Sequence, residues 1–382
     1  MTLRIIQTVD SLAERKGGPS RTIVQLAQAQ AGLGAELHLI TRKEPDDAPL
    51  LRPDPALVSL IVTNSLRDHL HQIDSLLSAP GPALVHDNGV WLLSNWAAAR
   101  AARRKGRPYV ISPHGMLEPW ALAWNPGRKR VALALFQQRL LTGAAGLLAT
   151  AEQERQNLRN LVPHTPIAVI ANGVALPATI PPHNLDPKAP RTLLFLSRIH
   201  PKKNLPALIT AWQSLLPRPD LAPWQLLIIG PDERGHAEQL QRQIDTLGPN
   251  PRIKLQGPVA DDAKFAVFAA ADLFILPSNS ENFGIVVAEA LAHGRPVITT
   301  RGTPWADLPA LKAGWWTEPT SEALAEAMAE AMTLPPAARE EMGARGAALV
   351  AARYGWPRIA AQTLSFYHWL LRGGPKPEFV DA

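Results

Sequence analysis

The sequence predicts an α/β protein of two Rossmann-like domains, and three observations support this prediction. The chain has 382 residues, a length at which two domains are the default expectation. In both halves, short apolar runs alternate with longer amphipathic stretches, which is typical of parallel sheets with crossover helices. A proline-rich segment at 177–190 separates the two series, and it suits neither a helix nor a central strand.

The elements follow from these alternations in chain order. The first series predicts strands at 3–9, 36–41, 57–62, 83–86, 109–112 and 146–150. Between them, helices are predicted at 20–31, 68–77, 92–105 and 129–141. The strand pattern resumes at 192–197, 225–229, 252–256, 273–276 and 296–299. Two further helices are predicted, at 285–292 and 356–371.

Composition limits the possible classes of protein. Apolar residues make up 46% of the chain, which is enough for globular cores. There is no cysteine, so a disulfide framework is excluded and a reducing compartment is expected. The first nine residues lack the layout of a signal peptide, and no run approaches the roughly 18 apolar residues of a spanning helix. We expect a cytoplasmic protein, with peripheral attachment to the inner face of the cell membrane as a possible addition.

The net charge of +6 comes entirely from the first half. Residues 1–170 hold 19 Lys and Arg against 13 Asp and Glu, whereas residues 171–382 hold 20 of each. Two basic clusters account for the excess, and Trp120 and Trp124 precede the second: Arg100, Arg103, Arg104, Lys105, Arg107, and then Arg128, Lys129, Arg130. Basic residues beside tryptophans indicate contact with an anionic membrane; the alternative is a solvated helix face. Nucleic acid is not expected as a partner, because no recognition motif occurs.

The segment 278–291 carries the strongest functional signal. Glu281 would lie just before a helix N-terminus, and Glu289 nearly two turns inside that helix. At 1.5 Å per residue, the two carboxylates would be about 10 Å apart along the axis. This spacing suits an extended ligand with hydroxyls at both ends and an anionic group near the helix start, such as a nucleotide-sugar.

Four other strand ends carry candidate residues. Gly17 and Gly18 follow the first strand and would let the backbone approach a diphosphate; an ordinary turn is the alternative. Arg198 and Lys203 follow strand 192–197 and could bind phosphate oxygens. His114 follows strand 109–112. His86 and Asp87 either bind acceptor hydroxyls or cap the helix that starts near Trp91.

These motifs resemble the retaining glycosyltransferases of family 4, which have the GT-B fold. Glu281 and Glu289 match the E-x7-E element of the family, and Arg198 and Lys203 match its R-x4-K element. The resemblance extends over nearly the whole chain, because the glycine loop, His114 and the Asn172–Val174 element occur in the expected order.

The resemblance implies two domains that face a central cleft. Residues 1–174 would form the acceptor domain, together with a returning C-terminal helix in 356–382. Residues 175–190 would be the linker, and residues 191–355 the nucleotide-sugar-binding domain. The helix at 356–371 would pack on the first domain.

The resemblance also implies a role for each site residue. Arg198 and Lys203 would neutralise the diphosphate, Glu281 would hold hydroxyls of the transferred sugar, and Glu289 those of the ribose. Phe283 and Gly284 would offer backbone N–H groups to the donor. His114 would help to position the sugar. Asn282 stands where many members have glycine, so the identity of the donor stays open.

The expected reaction is transfer of a sugar from a UDP- or GDP-sugar to a hydroxyl of a saccharide or lipid-linked saccharide. Assembly of lipopolysaccharide or exopolysaccharide is the expected setting. No Asp-x-Asp motif occurs, so we expect neither a metal nor another cofactor. Three alternatives are a nucleotide-sugar epimerase or phosphorylase of the same fold, a non-catalytic nucleotide-sugar-binding subunit, and a two-domain dehydrogenase. The dehydrogenase lacks its expected G-x-G-x-x-G after the first strand.

Overall fold

The computed structural model describes residues 2–14, 17–44, 46, 48–123, 125–180, 190–233 and 235–382. Its contacts divide the chain into two units, Met1–Gly173 with Tyr354–Ala382, and Val174–Arg353. The first unit ends one residue before the predicted bound of 174. Most of the predicted linker, residues 181–189, lies outside the described residues.

The secondary structure alternates as the apolar pattern predicts. The strands are β1 (Arg4–Val9), β2 (Glu36–Arg42), β3 (Val58–Thr63), β4 (Ala83–Asn88), β5 (Tyr109–Ser112), β6 (Gly146–Ala149), β7 (Ile167–Val169), β8 (Arg191–Leu196), β9 (Trp224–Ile229), β10 (Ile253–Gln256), β11 (Leu273–Leu276), β12 (Val297–Thr300), β13 (Gly314–Thr317) and β14 (Val380–Asp381).

The helices connect these strands. They are α1 (Gly18–Gly32), α2 (Leu66–Ser78), α3 (Leu93–Arg104), α4 (Pro119–Ala123), α5 (Pro126–Ala132), α6 (Gln138–Thr142), α7 (Glu152–Arg159), α8 (Leu205–Leu215), α9 (His236–Asp245), α10 (Lys264–Ala270), α11 (Ile285–Ala292), α12 (Ser321–Thr333), α13 (Pro336–Tyr354) and α14 (Trp356–Arg372).

The first unit is built on an eight-stranded sheet in the order β14-β7-β6-β5-β4-β1-β2-β3. Every pairing is parallel except that of β14 with β7. Successive side chains of a strand point to opposite faces, so Ile5 and Ile6 enter the two separate cores above and below the sheet. Both faces are therefore covered, as expected for a parallel sheet with crossover helices.

The C-terminal helix α14 packs on the first unit, where it contacts α1. Ile359, Phe366 and Tyr367 are buried in the same core cluster as Ile5. Gly146 on β6 allows this close packing, because a Cβ atom there would lie 2.5 Å from the Phe366 ring. A larger residue at 146 would push helix and strand apart.

The second unit contains a six-stranded parallel sheet in the order β10-β9-β8-β11-β12-β13. Its central strands are almost completely apolar; Leu193, Leu194 and Phe195 of β8 have no exposed surface. The predicted fold class of two α/β units on parallel sheets is confirmed.

Some element bounds differ from the prediction. The strand predicted at 83–86 extends two residues further, to Asn88. The helix predicted at 129–141 begins at Pro126 and contains a π-helical turn, Leu133–Gln137. In that turn the fully buried Gln137 accepts a hydrogen bond from the Trp91 backbone at 2.8 Å, an interaction that the helical period does not reveal.

Candidate active site

The second unit places two predicted motifs at the switch point of its sheet. From β8 the chain continues to β9 and β10 on one side, whereas β11 leads to β12 and β13 on the other. Ligands of open parallel sheets bind outside the carboxyl ends of the strands at such a point. Lys203 lies in the 3₁₀ turn that follows β8, and Glu281 lies in the loop that follows β11.

A buried ion pair joins these two loops. Lys203 Nζ donates to Glu281 Oε1 at 2.6 Å, and the two side chains are only 8% and 12% exposed. Ser278 Oγ, which has no exposed surface, donates to the same oxygen at 2.7 Å. The loops are also joined through their backbones, because Asn279 N donates to Lys202 O at 2.9 Å.

The ion pair determines the charge of Glu281. Burial by itself would raise the pKa of the Glu281 carboxyl. The charges of Lys203 and Lys202 outweigh burial, and hydrogen bonds from Lys203 and Ser278 add to their effect, so that the pKa falls below its ordinary value of 4.5. Glu281 is therefore ionised at neutral pH and can accept hydrogen bonds from hydroxyl groups.

The turn after β12 supports the Glu281 loop from the other side. Glu281 N donates to Gly302 O at 2.6 Å, and Thr300 Oγ1 donates to Ser278 O. A Cβ atom at Gly302 would lie 2.4 Å from Asn279 O and 2.6 Å from Ser278 O. Glycine at this position lets two backbones approach so closely that no other residue fits without a shift.

Arg198 and Glu289 have ion-pair partners outside the Lys203–Glu281 pair. The Arg198 side chain is 55% exposed, and its guanidinium donates to Glu233 at 2.8 Å. Glu289 lies on α11, 3.8 Å from Lys264. Both follow the carboxyl ends of their strands, but within the described residues neither contacts Lys203 or Glu281.

The residues between the glutamates form a bend and the start of α11. Asn282 and Phe283 lie in the bend, and Gly284 is the N-cap with a left-handed φ of 76°. Phe283 is buried, and its carbonyl accepts a hydrogen bond from Trp305 Nε1 at 2.7 Å. Trp305 is itself 3% exposed, so it belongs to the core.

The first unit has a switch point of its own, between β1 and β4. Gly17 follows β1 with a φ of 76°, and Gly18 begins α1. Nothing lies within 4 Å of a Cβ built at Gly17, so its left-handed backbone, and not crowding, accounts for the glycine. Lys16 of this loop lies outside the described residues.

His114 occupies a strained turn after β5. Met116 N donates to Pro113 O at 3.1 Å and closes the turn. The central residues His114 and Gly115 have φ values of 52° and 77°, as in type I′ turns. Positive φ is uncommon for a residue other than glycine, so the surroundings must hold His114 in place.

Asn88, at the end of β4, determines which nitrogen of the His114 ring carries the proton. Its Nδ2 donates to Thr8 O at 3.3 Å, so its Oδ1 is the atom that faces His114 Nε2 at 3.0 Å. Nε2 must then carry the ring proton, which leaves Nδ1 as an acceptor. Burial lowers the pKa of His114 to about 4, so the ring is neutral at physiological pH.

His86 and Asp87 do not cap a helix, so that interpretation of them is wrong. Because β4 extends to Asn88, both side chains lie within the sheet, with 1% and 3% exposure. The helix α3 begins only at Leu93, and the side chain of Asn95 accepts from the Leu92 backbone at 2.9 Å.

The polar atoms of both residues are engaged inside the first unit. His86 contacts Ser112 Oγ at 2.7 Å through Nε2 and the Tyr367 hydroxyl at 2.6 Å through Nδ1. Burial lowers its pKa to about 3. Asp87 accepts from Thr8 Oγ1 at 2.7 Å, and burial raises its pKa to about 7. These contacts favour a structural role over direct binding of an acceptor.

Sequence reasoning gave no role to several residues that the structure places at these sites: Ser278, Asn88, Glu154 and Tyr367. Ser278 had a readable signal, because it is a polar residue directly after an apolar strand and three positions before Glu281. Glu154 had one too, as an acidic residue in the first turn of a helix. The Tyr367–His86 contact spans 281 positions and has no local signal.

Two features are absent from the described residues: a metal-binding cluster and a helix that could span a membrane. No group of three or more His, Cys, Asp or Glu side chains is placed to hold a metal ion. No helix in the described ranges is both long enough and apolar enough to cross a membrane.

Comparison with known proteins identifies the family of this chain. The family described as "Glycosyl transferases group 1" matches residues 178–348, and "Glycosyl transferase 4-like domain" matches residues 17–173. A D-inositol 3-phosphate glycosyltransferase from Frankia alni is 29% identical over 320 residues, which are 74% of this chain and 77% of that protein.

Two solved structures share the fold. Sucrose-phosphate synthase from Thermosynechococcus elongatus has a TM-score of 0.79 and 20% identity, over 98% of this chain and 100% of its own. HepE from Anabaena, solved with UDP and glucose, has a TM-score of 0.72 and 18% identity, over 95% of this chain and 98% of its own. The two family matches together span most of the chain, one on each unit, and the chain therefore belongs to the group 1 glycosyl transferases of the GT-B fold.

Proposed function

We propose that this glycosyltransferase moves a sugar from a UDP- or GDP-sugar to a hydroxyl of a saccharide or lipid-linked saccharide, with retention of anomeric configuration. The observation that carries the proposal is the buried Lys203–Glu281 pair at the switch point of the second sheet. It presents a cation and an ionised carboxylate side by side, as a diphosphate joined to a sugar requires.

Each residue of the pair would bind a different part of the donor: Lys203 the diphosphate and Glu281 the sugar. Both hydrogen bonds to Glu281 within the described residues go to Oε1, which leaves Oε2 to accept from a sugar hydroxyl. Lys203 and Arg198 supply positive charge for the departing diphosphate, where charge develops in the transition state. The backbone N–H groups at Phe283 and Gly284, at the start of α11, add to the positive potential around the diphosphate. Glu289 accepts hydrogen bonds from the ribose hydroxyls.

The first unit contributes a neutral imidazole. With Nε2 donating to Asn88, His114 offers an acceptor to a hydroxyl of the transferred sugar. By analogy with the family, the acceptor attacks on the face from which the diphosphate leaves, and a diphosphate oxygen takes the proton. No protein nucleophile is then needed, and the reaction is proposed to need neither a metal nor another cofactor.

The test is turnover of purified protein against a panel of nucleotide-sugars, after a thermal-shift screen to find the donor. Bound donor stabilises the folded state by mass action and raises the melting temperature. Lys203→Ala and Glu281→Gln should each reduce transfer by about 100-fold or more, as removal of single transition-state contacts does. Arg218→Ala, which breaks an exposed pair with Asp220, is the control and should transfer normally. Unchanged transfer in both site variants would remove the assignment, and addition of EDTA should have no effect.

The acceptor has two candidate classes. Assembly of lipopolysaccharide or exopolysaccharide is the first, because the basic first unit suits work at a membrane. A phosphorylated polyol is the second, because the relative from Frankia alni is named for D-inositol 3-phosphate. Transfer to inositol phosphates, compared with transfer to lipid-linked saccharides, separates them.

Other reactions on this fold have distinct signatures. A phosphorylase would depend on free phosphate, and an epimerase would convert the donor sugar without an acceptor. A non-catalytic subunit would bind donor in the thermal-shift screen and turn over none.

The first unit also carries a surface that suits an anionic membrane. Residues 89–146 hold nine Lys and Arg against one Asp or Glu. Seven of the thirteen exposed large apolar side chains in the described ranges fall here: Leu92, Leu93, Trp96, Met116, Trp120, Val131 and Leu135. Lys129 links separate parts of this range. Its Nζ donates to Ala121 O at 2.5 Å and lies 5.8 Å from the centre of the Trp91 ring.

We propose that this basic apolar surface holds the enzyme at the inner face of the cell membrane. Arginines attract anionic headgroups while leucine and tryptophan enter the interface. The protein should float with liposomes that contain phosphatidylglycerol and detach as salt rises. Reversal of Arg103 and Arg104 to Glu should weaken binding, and Leu57→Asp, an exposed leucine outside the surface, should not. Absence of salt-sensitive binding would exclude this attachment.

A further inference from the structure

The buried carboxylate of Glu154 connects the His114 turn to helix α7. We propose that Glu154 is a positioning residue, whose carboxylate fixes the His114 turn in the conformation needed for sugar transfer. This inference rests on the proposed function, because it assigns His114 a role in that reaction.

Glu154 makes two kinds of hydrogen bond at once. Its side chain is in the first turn of α7, and the residue is 2% exposed. Oε2 accepts from Thr150 N at 2.7 Å and from Thr150 Oγ1 at 3.1 Å. These contacts join the first turn of α7 to Thr150, just before the helix, and resemble those of a capping box.

The second oxygen does more than cap a helix. Oε1 accepts from Gly115 N at 2.7 Å, although Gly115 lies 39 positions earlier in the chain. The N–H of Gly115 belongs to the peptide plane that joins it to His114. Holding this N–H therefore holds the rotation of the plane, and with it the backbone of His114.

The His114 turn needs such a constraint. Its two central residues both have positive φ, and His114 lacks the freedom of glycine. A strained backbone of this kind persists only where the surroundings impose it. A hydrogen bond from N–H to a carboxylate is roughly twice as strong as one to a neutral acceptor, which suits this task.

Glutamine at 154 is the informative substitution. Gln has nearly the same volume but only one acceptor oxygen, because its other terminal atom is a donor. It can satisfy Thr150 or Gly115, but not both. In Glu154→Gln, we expect kcat to fall about tenfold to 100-fold with the donor KM changed less than about threefold, as for a misplaced catalytic group.

A matched control lies in the same helical turn. Glu152 is exposed, and its carboxylate bonds Arg155 of the same helix. Glu152→Gln removes the same charge without touching the turn, so kcat should stay within about twofold of the wild type.

A double-mutant cycle separates positioning from general damage. If Glu154 acts through His114, Glu154→Gln should change kcat by less than about twofold in a His114→Ala background. An equal loss of activity in both backgrounds would overturn the proposal. Melting temperatures of all variants show whether each one is folded.

A second measurement does not depend on activity. In NMR titrations, the His114 imidazole of the wild type should titrate near 4, and Glu154→Gln should raise its pKa toward 6.5 as the ring leaves its buried position. Glu152→Gln should leave the titration unchanged. If no donor is turned over, the proposed function fails, yet this titration still decides the role of Glu154. An unshifted His114 in Glu154→Gln would overturn it.

Discussion

At the residue scale, the Lys203–Glu281 pair combines a structural and a functional demand. Both side chains are nearly buried, so each depends on the other for compensation of its charge. Removing one partner from a buried pair is more damaging than removing both, because an uncompensated charge stays behind. The acidity of Glu281, with Ser278 as an added donor, is a direct result of this arrangement.

We predict that Lys203→Met lowers the free energy of unfolding of the second unit by about 3–5 kcal/mol. The double variant Lys203→Met/Glu281→Gln should be less destabilised than Lys203→Met alone. Denaturant titration measures both, with Arg218→Ala of an exposed pair as the control. Equal, additive losses would show that the two charges are not coupled.

The same pair should be sensitive to acid. The pKa of Glu281 is lowered in the folded state, so its contribution to stability is complete above its unfolded value of about 4.5. This contribution is lost as the pH falls through the folded pKa. Glu281→Gln should remove this part of the acid sensitivity.

At the element scale, the position of the Glu281 loop depends on the turn after β12. Gly302 contacts the backbone of Ser278 and Asn279, where any Cβ would come within 2.6 Å of a carbonyl oxygen. Backbone atoms cannot rotate away as a flexible side chain can. The position of the loop is therefore coupled to that of the turn.

We predict that Gly302→Ala reduces transfer activity by about tenfold or more, because it displaces the loop that holds Glu281. The fold should survive, with a loss of stability of about 1–3 kcal/mol from overpacking. Gly257→Ala is the control, since nothing lies within 4 Å of a Cβ there. Activity that equals the control would show that the loop position is unimportant.

Prediction of the strands succeeded for most of both sheets, including the edge strands β3 and β10, and missed β7, β13 and β14. Strands β1, β5 and β11 were predicted to within a residue, and all three are central in their sheets and almost completely buried. The edge strand β14 has two residues, and β7 has three, too few for any period to register. Their pairing is imposed by neighbouring strands.

At the scale of the whole molecule, the first unit contains buried titratable groups with opposite responses to pH. Burial lowers the pKa of His69 and His114 to about 4 and that of His86 to about 3. As pH falls below about 6.5, the unfolded chain protonates these histidines first, so stability is lost. Asp87 has the opposite sign: its pKa is raised to about 7, so stability is gained as pH falls through 7 toward 3.8.

Because three histidines oppose one aspartate, the stability of the first unit should decrease as the pH falls. Between pH 6.5 and 4, we predict that unfolding of the first unit takes up about two protons, on the order of 2–3 kcal/mol of stability per pH unit. Melting temperatures at pH 7 and pH 5 test this. His69→Asn should lessen the drop, and the exposed His164→Asn should not. A melting temperature independent of pH would contradict the lowered pKa values of the buried histidines.

The sequence by itself determined the two α/β units and the identities of the charged residues at their strand ends. It could do so because apolar periodicity and short motifs are local properties of a chain. The tertiary structure decided which group each charged side chain contacts. Lys203 pairs with Glu281, Arg198 pairs with Glu233, and Glu154 accepts from the backbone of the His114 turn. These partners lie 35 to 78 positions apart, and the order of strands in a sheet, which no local pattern encodes, brings them within hydrogen-bonding distance.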